Sequence, residues 1–191
     1  MRSTAYMECP GLVNASFTKA EIAPHLRNKN EDIVIDFELL TDEISSLIGL
    51  LHSHKTEKDA HALADVMYIS ELIYHASTAL RIANTITKEE IQKLEALVSA
   101  LEKELDPHHK QIVLPQGSTI AATCHLVRVK CNIAVRMLHK FNDNNPDNKV
   151  DELCQDLFNL ASGYFLYLAL KLNMLNDVAE IGFKSRLVRE M

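Results

Sequence analysis

Residues 112–141 read IVLPQGSTIAATCHLVRVKCNIAVRMLHKF. A turn, Pro115-Gln116-Gly117-Ser118, separates a short apolar run from a segment in which Ile120, Cys124, Val127, Cys131, Ala134, Leu138 and Phe141 recur at steps of three and four residues. That spacing draws one near-heptad seam along a long helix. Ser118 stands where an N-cap belongs, and a helix start of this kind also attracts anions. Arg128 follows ten residues later, with Asn132, Arg136 and Lys140 below it in one i,i+4 row. A helix with a single apolar seam must bury it against other helices, so the rest of the chain has to supply them.

Four further segments do. Leu40, Ile44, Leu47 and Leu51 mark a first helix, and the His- and Lys-rich HSHKTEKDAH at 52–61 separates it from a second through LADVMYISELIYHASTALRIA. A third is announced by Thr87-x-x-Glu90, a capping box in which each side chain satisfies an amide at the other's end. Its stripe is Ile91, Leu94, Val98, Leu101 and Leu105, and it stops near Pro107. The turn NDNNPDN ends the fourth helix, and a fifth runs from about Val150 to Asn173. No segment alternates with period two between hairpin turns. The reading is an all-α, five-helix antiparallel bundle over residues 35–176, after an irregular segment 1–34 and before a tail 177–191 expected as a short helix.

Composition narrows the function. With 191 residues, 47 % of them hydrophobic, one domain with a real core is expected. A net charge of −6 disfavours nucleic acid or an anionic membrane as a partner held by bulk electrostatics, so any anion must be bound locally. The N-terminus lacks the apolar core of a signal peptide, and YFLYLAL at 164–170 falls short of the roughly 20 residues of a membrane span. Cysteines 9, 124, 131 and 154 form no CxxC pair and read as reduced, packed thiols of a cytoplasmic protein. Self-contained catalytic motifs are missing: Ser16-x-x-Lys19 lacks its usual companions, and His61 with Asp65 finds no third ligand on a shared face. No metal site is expected.

The segment VLPQGSTIAATCHLVR resembles the signature of the PduO-type ATP:cob(I)alamin adenosyltransferases. Val113, Leu114, Pro115, Gly117 and Ser118 match its turn, and Ala121, Ala122, His125 and Arg128 follow at the family's spacing. Thr41-Asp42-Glu43 with Gly49 resembles the family's first bundle helix, and LFNLASGYFLYLA, with Asn159 and Ser162, its last. Phe17-Thr18-Lys19 resembles the start of its phosphate loop. The resemblance implies a five-helix bundle assembling as a homotrimer, with sites between subunits for ATP, Mg²⁺ and a corrinoid such as cobalamin. In that family the nucleophilic cobalt of cob(I)alamin attacks the 5′ carbon of ATP and displaces triphosphate. By the same resemblance Arg128 and Asp42 are the catalytic candidates, Lys19, Arg128, Arg136 and Asn159 bind ATP, and Ile112 faces the corrinoid in place of the family's phenylalanine.

Some of these positions also have plain structural readings. Arg128 with Asp42 reads equally as an ion pair between subunits, Asn159 on an apolar face as a buried amide serving its neighbours, and Lys19 as part of a short helix capped by Thr18 and Glu21. The chain also departs from the family. Glu21 and Pro24 replace the glycine-rich phosphate loop, Gln116 replaces the second glycine of the turn, and Asn132, Val135, Leu160 and Gly163 stand where the family has charged residues. These losses motivate a second expectation, a catalytically inactive trimer that binds a corrinoid, a nucleotide or a partner protein as carrier or scaffold.

Overall fold

In a computed structural model the chain is described over residues 32–105 and 112–186. Lys19 and the segment around it lie outside the described residues. Five helices are present among them: α1 Ile33–Ser53, α2 Val66–Ala76, α3 Lys88–Glu104, α4 Thr119–Asn144 and α5 Glu152–Leu175. Each long helix begins on a cap written in the sequence. Asp32 accepts from the Val34 amide at 3.0 Å, and Asp151 accepts from that of Leu153 at 2.8 Å. Thr87 and Glu90 form the complete capping box, with the Thr87 amide 2.8 Å from the Glu90 carboxylate and the Glu90 amide 3.3 Å from the Thr87 hydroxyl.

The fifth helix is the hub, packed against α4, α3 and α2, while α1 packs against α4 and α2. Cross-contacts fix the direction of the α4–α5 pair. Ser118 meets Asn173, Asn132 meets Ser162 and Asn142 meets Val150, so advancing along α4 means retreating along α5. The two are therefore antiparallel. All seven residues of the α4 seam are buried, and they meet Leu157, Phe158, Ala161, Phe165 and Leu168 of α5 in one continuous core. Phe37 of α1 packs edge to face on Phe158, with ring centroids 5.6 Å apart. Cys124, Cys131 and Cys154 are free thiols inside this core, and burial pushes Cys131 and Cys154 up to about 12. No described helix is long and apolar enough to cross a membrane.

Two segments differ from the sequence reading. The second helix stops at Ala76 instead of continuing toward residue 83, and the backbone goes on in three-residue turns, with Ser77 bonded to Tyr74, Ala79 to Ala76 and Arg81 to Thr78. Arg81 is held there by a two-pronged bond to Glu38 of α1, at 2.7 and 2.9 Å. The tail is not helical over its described part, residues 177–186. Asn176 closes α5, Asp177 takes a positive φ of 55°, and the chain runs back extended to pair Gly182 with Val113. The Phe183 amide and the carbonyls of Ala179 and Ile181 find their partners in residues 112–116, so the local pull toward a helix is overridden.

Candidate functional site

The turn before α4 is built around a residue that the sequence reading passed over. Asn173, fully buried near the end of α5, accepts from the Ser118 amide at 3.1 Å and donates to the Gln116 carbonyl at 3.0 Å and to Glu180 at 2.9 Å. One side-chain amide thus joins the turn, the last bundle helix and the tail. Gly117 lies against it with φ +140°, a left-handed conformation that glycine alone adopts freely. Ser118 caps α4 by accepting from the Ala121 amide at 3.3 Å. Gln116, at the position of the family's second glycine, donates its side-chain amide to the Ala179 carbonyl at 3.0 Å. The departure therefore has a structural use: it fastens the tail.

The tail in turn fixes Ile112, the residue expected to face a corrinoid. The Ile112 carbonyl accepts from the Phe183 amide at 2.7 Å, and the Leu114 amide donates to the Ile181 carbonyl at 2.8 Å. Ile112 is 73 % exposed at the lip of this ribbon.

Below the turn, α4 carries the candidate cations. Arg128 is half-buried, and its Nε–H is buried without a hydrogen-bond acceptor. His125, one turn earlier, is 5 % exposed, and neither ring nitrogen has a partner. Burial, and then the charge of Arg128, push the His125 pKa down, so the ring is held neutral. Two adjacent polar groups with orphaned buried atoms are unusual, because nearly all such atoms in folded proteins are paired. Arg136 and Lys140 continue the row in solvent. Asn132 does not extend the cationic row, because its carbonyl oxygen accepts from the Ser162 hydroxyl at 2.8 Å and so stitches α4 to α5.

The remaining candidates are scattered. Asp42 is exposed on α1 and makes no ion pair with Arg128 within the chain; its neighbour Glu43 instead takes Lys130, at 2.7 Å. Asn159 is exposed, so the expectation of a buried amide on an apolar face is corrected: Leu157, Phe158 and Ala161 point into the core and leave Asn159 turned outward. His61 and Asp65 line a cleft of about 360 Å³ whose wall holds the Lys171–Glu104 ion pair. Among the described residues no three His, Cys, Asp or Glu side chains gather as a metal site.

The family model for cobalamin adenosyltransferase matches residues 20–172. No curated protein matches the chain by sequence. Solved structures similar to it include variants of a PduO-type ATP:corrinoid adenosyltransferase from Lactobacillus reuteri. An arginine-to-lysine variant complexed with ATP is 18 % identical, with a TM-score of 0.71 over 81 % of this chain and 89 % of that one. A phenylalanine-to-alanine variant complexed with cobalamin and ATP is also 18 % identical, with a TM-score of 0.71 over 81 % and 88 %. A phenylalanine-to-histidine variant with the same ligands gives 18 % and 0.70 over 80 % and 84 %. At this identity the likeness is one of fold.

Proposed function

Because the chain belongs to the cobalamin adenosyltransferase family, we propose that it transfers the 5′-deoxyadenosyl group of ATP to the cobalt of a reduced corrinoid. The cobalt lone pair attacks the 5′ carbon, the carbon–oxygen bond breaks, and triphosphate leaves with the bonding electrons. Nothing in this step requires a protein nucleophile or base. The protein's work is to hold the triphosphate, to orient the 5′ carbon and to keep water away from the cobalt.

The observation that carries the reading is the orphaned Nε–H of Arg128 beside the unpartnered His125. A buried donor without an acceptor costs about 1–3 kcal/mol, which an oxygen of the triphosphate, or Asp42 of a neighbouring subunit, would relieve. On this reading Arg128 and Arg136 hold the phosphates with Lys19, Asn159 meets the nucleotide, Ile112 faces the corrinoid, and Mg²⁺ arrives on ATP. Leu126, Val129 and Ile133 are exposed on α4 at helical spacing around Arg128. They give that face the apolar character of a contact between copies, which supports self-association with Arg128 close to the boundary; the family resemblance makes the assembly a homotrimer.

A second reading has its own observation. Asn132, where the family has an arginine, is a neutral amide engaged by Ser162, so the row on α4 has one cation fewer to offer a leaving triphosphate. A non-catalytic corrinoid or nucleotide carrier would retain the fold and lose the chemistry. Incubating the purified protein with ATP, Mg²⁺ and chemically reduced cobalamin separates the two. Adenosylcobalamin, followed by its absorbance, is expected for the enzyme; saturable binding without turnover would leave the carrier; neither binding nor turnover would remove both.

A further inference from the structure

The cleft of about 360 Å³ between the segment 58–65, α3 and α5 is lined by none of the candidate adenosyl-transfer residues. Its size is that of a small-molecule site. The walls are tied together by polar bonds. Asp59, 1 % exposed, accepts from the Thr56 hydroxyl at 2.6 Å and from the Asn176 side-chain amide at 2.9 Å, which fastens the segment to the end of α5. Lys58 pairs with Asp177 at 3.3 Å and Lys171 with Glu104, so each lysine of the lining already has its carboxylate.

Two polar groups of the lining are left over. Tyr164 is 2 % exposed, and its hydroxyl makes no hydrogen bond among the described residues, although a buried tyrosine normally has its O–H paired. Burial, and then the charge of Asp65, push its pKa up, so the phenol is neutral. Asp65 precedes α2 without making a side-chain capping bond, and its carboxylate has no cation within ion-pair distance among the described residues. Leu97, Leu101 and Leu175 make the wall beside them apolar. The cleft therefore combines one uncompensated negative charge, one unused hydroxyl and a hydrocarbon surface.

We propose that this cleft is a second binding site, for a small primary amine with an apolar body. The ammonium donates to the Asp65 carboxylate and to the Tyr164 oxygen, and the body lies on Leu97, Leu101 and Leu175. An anion would meet the charge of Asp65. A neutral apolar molecule would bury the carboxylate and the hydroxyl without giving them partners. A metal ion lacks ligands, since no three His, Cys, Asp or Glu side chains gather among the described residues. The site stands apart from Arg128 and Ile112 and does not depend on the adenosyl-transfer reading.

The test titrates the full chain calorimetrically with phenethylamine and with 2-phenylethanol, which has the same body and a hydroxyl in place of the ammonium. Phenethylamine is expected to bind saturably with a Kd below about 1 mM, about tenfold tighter than the alcohol. Asp65→Asn should weaken the amine about tenfold and leave the alcohol where it was, and Tyr164→Phe should weaken the amine about threefold. Ala100→Leu, a change at an exposed position of the lining, narrows the cleft and should weaken both ligands, which keeps the test open if Tyr164→Phe fails to fold. No saturation, equal affinity for amine and alcohol, or an Asp65→Asn variant that binds the amine as wild type does would each overturn the proposal. Displacement of the amine by MgATP would also overturn it, by moving the amine to the nucleotide site. None of these outcomes bears on adenosyl transfer, which the turnover assay tests separately.

Discussion

The buried amide of Asn173 fills the space that any side chain at Gly117 would need. The two residues are coupled twice, because the same amide bonds to the positions on either side of Gly117. Gly117→Ala is expected to lower stability by about 2–3 kcal/mol, from the positive φ and the overlap together. Asn173→Ala should cost about 2 kcal/mol by leaving the Ser118 amide and the Gln116 carbonyl without partners. Since Asn173→Ala also makes room at Gly117, the double variant should lose about 1 kcal/mol less than the sum. Urea denaturation of the four proteins checks this, and strict additivity would refute the coupling.

Arg128→Ala should separate binding from stability. With an orphaned buried N–H removed, the fold is expected to hold its stability or gain slightly, while the affinity for ATP falls about thirtyfold. Calorimetric titration with MgATP alongside thermal unfolding measures both. A destabilised variant with unchanged ATP affinity would instead make Arg128 a structural residue.

How much of this was readable from the sequence depends on the range of the interaction. The helix positions apart from the extent of α2, the capping box at Thr87 and the cap at Ser118 rest on residues within four of one another, and the structure reproduces them. The α4 seam was readable because seven apolar residues agree on one face. Asn173 was not. An asparagine in an apolar stretch is a visible signal, but its partners lie 55 and 57 residues away and nothing local names them. The tail failed for the same reason, as its pairing with residues 112–114 exists only once the bundle has formed. The outward turn of Asn159 was not legible because α5 carries apolar residues on most of its faces, and a helix so apolar gives little contrast between them.

Acid should find His125 first. Its folded pKa is depressed from an ordinary 6.5, by burial and then by Arg128, so below that value the unfolded chain binds a proton that the folded one resists. The contribution is fully present above pH 6.5 and is lost as pH falls toward the folded pKa. Denaturation midpoints at pH 7.5 and 5.5 should therefore diverge more for wild type than for His125→Gln. Equal pH dependence in the two proteins would show that folding does not depress the His125 pKa.

Gly163, where the family carries a carboxylate, is expected to be a simple weakness in α5. A methyl group there would touch only Val98, at an ordinary 3.9 Å. Gly163→Ala should stabilise the fold by about 0.5–1 kcal/mol through helix propensity and a less flexible unfolded chain. A thermal melt reads the gain, and a loss would mean that a neighbouring copy packs against this spot.

The long reach of the Asn173 bonds also sets an order of events. Contacts spanning more than fifty residues form only after α4 and α5 have closed on each other, whereas the caps and seams form from neighbours. Folding therefore completes the bundle first, and the turn, the ribbon and the tail are fastened last. Fastened largely by polar and main-chain bonds, they are expected to open at a lower free energy than the five-helix core. Local opening of this end would then leave the five helices, and Arg128 on α4, in place.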